Sequence, residues 1–138
     1  MKSKLFAALL IATTLVAAPA IARDSVPIVN YDNVAIATSS GKAPDAEQVR
    51  QAIAAAAAGK GWTVAPAGDG KLQATIVVRG KHTVVVDIAY AADKYALTYK
   101  DSTNMNFIER DGQKLIHPFY NKWVQTLKEA IRLELLKA

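Results

Sequence analysis

Apolar and polar residues alternate along three consecutive stretches in the middle of the chain. Leu72, Ala74, Ile76 and Val78 alternate with Gln73, Thr75, Val77 and Arg79. His82, Val84, Val86, Ile88 and Tyr90 alternate with Thr83, Val85, Asp87 and Ala89, and Tyr95, Leu97 and Tyr99 with Ala96, Thr98 and Lys100. Period two is the mark of a strand with one buried face. The turns fix how these strands pair. A three-residue loop at Arg79-Gly80-Lys81 sets Val78 opposite His82, Ile76 opposite Val84 and Leu72 opposite Ile88. A second loop, Ala91 to Lys94, sets Tyr90 opposite Tyr95 and Ile88 opposite Leu97. Both registers keep one apolar face continuous, and a one-residue slip in either would mix the faces. The opposite face, with Gln73, Thr75, Thr83, Asp87, Thr98 and Lys100, is expected to meet solvent, with Lys100 diagonal to Asp87 as a solvated ion pair.

Two segments carry helical spacing instead. Val49, Ala52, Ile53 and Ala56 recur on one face of a helix predicted from Pro44 to Ala58. Pro44 suits its first position, Asp45 and Glu47 its first turn, and Gly59 its end. The run Ala54 to Ala58 is a strong helix former with a smooth, close-packing surface. A last helix is predicted from Pro118 to Leu136, with Phe119, Trp123, Leu127, Ala130, Ile131 and Leu135 as its core stripe. Trp62 to Ala65 reads as a short strand, and Val34 to Thr38 as another. The whole is an α+β domain in the order β-α-β-β-β-β-α: an antiparallel meander of about four strands with two helices on one face.

The first 22 residues are of another kind. Lys2 and Lys4 precede an apolar run from Leu5 to Val16, and Ala20-Ile21-Ala22 gives a small-x-small cleavage site. This is the pattern of a secretory signal peptide, cleaved before Arg23. The expected mature protein is one domain, residues 23–138, in the periplasm, with no stable membrane anchor. The chain has no cysteine. That excludes a lipid-anchored cysteine, disulfides, thiolate metal sites and cysteine nucleophiles. Beyond the leader, 15 basic residues face 12 acidic ones. The surplus is mild and spread out, unlike the clustered basic face of a nucleic-acid binder.

Candidate chemistry is sparse. The chain has two histidines, neither with a metal-ligand partner at helical or strand spacing, so no metal and no cofactor is expected. Phosphate-loop and serine-nucleophile motifs do not occur. His82, at a hairpin start on the apolar face, reads as a partly buried structural residue. Tyr90, Tyr95, Tyr99 and Trp123 read as core aromatics before they read as an aromatic pocket. One edge gathers polar groups. Asp101, Ser102 and Asn104 end the third strand of the meander, and His117, Tyr120 and Asn121 open the last helix. They form either a binding edge or a set of caps and loop hydrogen bonds, the second being what these residue types ordinarily do at element ends.

The stretches Tyr99-Lys100-Asp101-Ser102-Thr103-Asn104-Met105-Asn106 and Ile116-His117-Pro118-Phe119-Tyr120-Asn121-Lys122-Trp123, with Gly61-Trp62, resemble an uncharacterised family of small exported proteins of Gram-negative bacteria, many of them lipoproteins. The absent lipoprotein cysteine departs from that pattern. The resemblance implies an envelope location and carries no activity. The expectation is a non-catalytic periplasmic binding or adaptor domain for an envelope protein or small ligand. Two alternatives stand beside it: a hydrolase-like enzyme using His117 with Asp101 as a base pair, and a structural protein that self-associates through an exposed edge strand.

Overall fold

A computed structural model describes residues 25–138. The signal-peptide assignment to residues 1–22 lies outside them. The elements in chain order are β1 (Val26–Pro27), β2 (Tyr31–Ala35), α1 (Ala46–Gly59), β3 (Thr63–Gly68), β4 (Lys71–Val78), β5 (His82–Tyr90), β6 (Lys94–Thr103), β7 (Ile108–Arg110), β8 (Gln113–Ile116) and α2 (Phe119–Leu136). The fold is α+β. Five strands form an antiparallel sheet in the order β2-β6-β5-β4-β3, and three form a small second sheet, β1-β8-β7.

The meander pairs as its alternation requires, up to a register shift against β6 between Val85 and Val86. Val78 faces His82, Ile76 faces Val84 and Leu72 faces Ile88; Tyr90 faces Tyr95 and Ile88 faces Leu97. Leu72, Ala74, Val84, Val86, Ile88, Tyr95 and Leu97 are all buried. They meet Val49, Ile53, Ala56 and Ala57 of α1 and the buried face of α2 in one core. Each fully buried branched side chain there contributes about 1.5–3 kcal/mol by leaving water. The reverse face stays polar, with Lys100 Nζ 3.8 Å from Asp87. Both side chains are half exposed, so the pair adds little.

Several expectations are corrected. β2 begins at Tyr31, earlier than the Val34 expected, and a bulge lies between Tyr31 and Val34. α1 begins after Asp45, which is its N-cap: the carboxylate accepts the Gln48 N–H while the Gln48 side chain accepts the Asp45 N–H. This reciprocal box satisfies two otherwise unpaired donors. Pro44 therefore lies outside the helix. At the other end, Gly59 is still helical, and Gly61, at φ +84°, makes the left-handed exit. The second sheet is an addition to the expected meander. Its hairpin turns on Asp111 (φ 53°) and Gly112 (φ 76°) between Arg110 and Gln113, the signature of a two-residue type I′ turn.

The core stripe of α2 is also rotated at its start. The buried residues are Tyr120, Val124, Leu127, Ala130, Ile131 and Leu135. Phe119 is 47% exposed, and Trp123 is only partly buried. Both sets repeat at helical spacing, so the period alone does not choose between them. Among the described residues, no helix is long and apolar enough to cross a membrane.

Candidate functional site

The six residues of the predicted edge are mostly committed to holding the chain together. Asn121 is a two-pronged clamp: its amide N–H donates to the Pro27 carbonyl (3.0 Å), and its side-chain oxygen accepts the Val29 N–H (3.1 Å). It thus substitutes for a strand partner and ties the N-terminal segment to α2. Ser102 Oγ lies 2.8 Å from the Tyr99 hydroxyl. Asp101 is exposed, and its carboxylate accepts the N–H of Ser102 (2.8 Å). No hydrogen bond or ion pair joins it to His117 among the described residues, so the His117/Asp101 base pair of the enzyme alternative is not assembled. Tyr120 is wholly buried, which removes it from any binding surface. Burial holds its phenol above the ordinary tyrosine range. Burial likewise raises the Tyr99 phenol, against the Ser102 contact that lowers it.

The predicted meeting of the two segments does occur. The His117 N–H donates to the Met105 carbonyl at 2.8 Å, joining the end of β6 to the start of α2. Asn104 extends this junction to the β4–β5 turn. Its side-chain N–H donates to the Lys81 carbonyl (2.8 Å), and its own carbonyl accepts from His82 Nδ1 (2.8 Å). Asn104 stands at φ 57°, a left-handed conformation that asparagine tolerates better than most residues.

These contacts enclose a cleft of about 330 Å³. The β4–β5 hairpin supplies Val78, Arg79 and His82, and Met105 forms the floor. The start of α2 supplies His117, Phe119, Lys122 and Trp123. Both histidines of the chain therefore line one cavity. The His117 ring tilts on Phe119 with centroids 4.6 Å apart, and Phe119 lies 5.9 Å from Trp123. Lys122 Nζ sits 5.5 Å from the Phe119 ring centre, a cation–π contact.

Each imidazole has one nitrogen fixed by the backbone, and the two are fixed oppositely. A carbonyl only accepts, so His82 Nδ1 beside Asn104 carries the proton, and its Nε2 keeps a lone pair in the neutral ring. His117 Nδ1 accepts the Phe119 N–H at 3.1 Å, so its neutral ring carries the proton on Nε2. The cleft thus has one ring acceptor and one ring donor. Arg79 and Lys122 add two cations, and no carboxylate lines the cleft. A larger depression, about 440 Å³, runs along α2 and includes Glu129 among its lining; it lacks both histidines, Phe119 and Trp123.

No protein-family model, curated protein or solved structure matches the chain. The sequence marks His117 at this edge but sets His82 apart from it, offers Trp123 as a core aromatic before a pocket one, and does not bring Arg79, Phe119 or Lys122 to the site. The available signal was positional. His82 pairs with Val78 at one end of the meander, and that is the end where β6 hands the chain toward His117.

Proposed function

We propose that this protein is an exported periplasmic domain that binds a small ligand in the His82/His117 cleft without transforming it. The observation that carries this is the cleft itself. It combines aromatic and aliphatic walls with a few convergent polar groups, as ligand sites do, and its volume is at the small end of the usual range of about 300–1,000 Å³. Its two imidazoles are each tied to backbone through Nδ1, which suits orienting a ligand. Among the lining residues, none is a hydroxyl nucleophile or a carboxylate that would serve a histidine as orienting partner. Edge-to-edge self-association is less favoured. β2 and β3 are the edges of the five-stranded sheet, both carry register shifts, and β3 contains Pro66; bulges and proline blunt an edge.

The test has two readouts. Protein recovered from the periplasm of an expressing Gram-negative host should have the mass of a chain starting at Arg23. A small-molecule fragment screen by NMR should give amide shifts clustered at His82, Met105, His117 and Trp123, with every fragment recovered unchanged. Retention of the leader would contradict the exported reading. Shifts confined to other surfaces, or consumption of a fragment, would contradict the binding reading.

A further inference from the structure

We infer that the cleft takes a small amphipathic monoanion, a carboxylate borne on an aromatic or short aliphatic body; this deepens the binding reading above and rests on it. The walls set the body of the ligand. Val78, Met105, Phe119 and Trp123 offer apolar surface with two rings near each other, and aromatic side chains favour stacked or edge-on contact with a flat ligand.

The rim sets the charge. Arg79 and Lys122 come from different elements and converge on one cavity, whereas opposite charge is missing from its lining. Arg79 has no ion-pair partner among the described residues. It also occupies φ 56° beside Gly80 at φ 65°, where asparagine or glycine would be the less strained choice. The guanidinium is thus placed at the cleft despite the backbone conformation. His117 Nε2–H adds a neutral donor, and a carboxylate accepts from all three groups, in forked fashion from arginine. A cationic ligand would instead compete with Lys122 for the Phe119 face and be repelled by Arg79.

The test compares three probes of one shape: hydrocinnamate, hydrocinnamyl alcohol and hydrocinnamylamine. Each is titrated into the protein at low salt while amide shifts and the Trp123 indole resonance are followed. Hydrocinnamate is expected to bind about fivefold more tightly than the alcohol, and the amine more weakly than either. Arg79→Asn, which suits the left-handed backbone, and Lys122→Gln, on an exposed helix position, should each weaken the carboxylate about threefold to fivefold and the alcohol by less than about twofold. Added salt should narrow the gap. If the alcohol or the amine binds as well as the acid, with shifts still in the cleft, the anion inference is overturned and the binding reading survives. If none of the three perturbs the cleft, both are overturned.

Discussion

Replacing Tyr120 with alanine is expected to lower the free energy of unfolding by about 3–5 kcal/mol, the range for deleting a large buried aromatic. Tyr120 has no exposed surface. Its ring meets Tyr99 edge-on at 5.6 Å, and Tyr99 in turn stacks on Phe107 at 5.0 Å. Deleting it would open a cavity where the first turns of α2 pack on β6. Tyr120→Phe should behave differently. The Tyr120 hydroxyl has no hydrogen-bond partner among the described residues, and an unsatisfied buried polar group costs about 1–3 kcal/mol. The phenylalanine variant should therefore be at least as stable as wild type. Urea unfolding of both variants checks this; a large loss in Tyr120→Phe would show that the hydroxyl makes a stabilising bond. The pH dependence adds a second check. Burial is the first cause of the raised values of Tyr95, pushed up to about 12, and of Tyr99 and Tyr120. The folded state thus favours the neutral phenols. That stability is intact below the ordinary tyrosine value of about 10. It is lost as pH rises above that value and, for Tyr95, through about 12. Tyr120→Phe should retain more of its stability than wild type in that window.

Ala57→Leu is expected to cost about 1–3 kcal/mol, and Ala55→Leu about 0.5 kcal/mol at most in either direction. The two alanines belong to the same run, which sequence alone presents as uniform. In the fold, Ala57 is wholly buried on the face α1 turns to the core, while Ala55 is exposed. An added isobutyl group at Ala57 would push α1 off its neighbours; at Ala55 it would meet water. Thermal denaturation of the pair measures the contrast. Equal stability of the two variants would mean that α1 is rotated from the packing described above.

The meander was legible because two independent signals agreed. Alternation assigned faces, and loop length assigned partners, so Val78 opposite His82 and Tyr90 opposite Tyr95 followed without tertiary information. The diagonal Lys100–Asp87 pair came from the same register. The small second sheet was not legible. β1 is two residues long, too short to show a period, and it is held by β8 and by the Asn121 clamp, both distant in sequence. Asp111-Gly112 is a turn-forming pair, but Ile108 to Arg110 and Gln113 to Ile116 flank it with too little alternation to read as strands. The rotated stripe of α2 has another cause. Phe119 and Trp123 are large and apolar, and size argued for the core, whereas the fold buries Tyr120 and Val124 and leaves the two rings to wall a cleft.

The candidate site shows the same division. Capping was the favoured reading of Asp101, Ser102, Asn104 and Asn121, and their side chains do make local or backbone hydrogen bonds. Only His117 of the predicted set lines the cleft. Its partner His82 belongs to a distant hairpin, and what joins them is a run of backbone contacts through Asn104 and Met105. Spacing rules act within an element and carry no information about such a junction.

On the proposed reading, the two imidazoles share one ligand cleft and are held there in opposite tautomers. Long-range ¹H–¹⁵N NMR of the histidine rings tests it most directly, recorded with both rings neutral, before and after addition of hydrocinnamate. The expected result is His82 protonated on Nδ1, His117 protonated on Nε2, and ligand-induced shifts at the Nε2 atoms of both. Finding the same tautomer in both rings, or ring nitrogens that ignore the ligand while other resonances move, would contradict it.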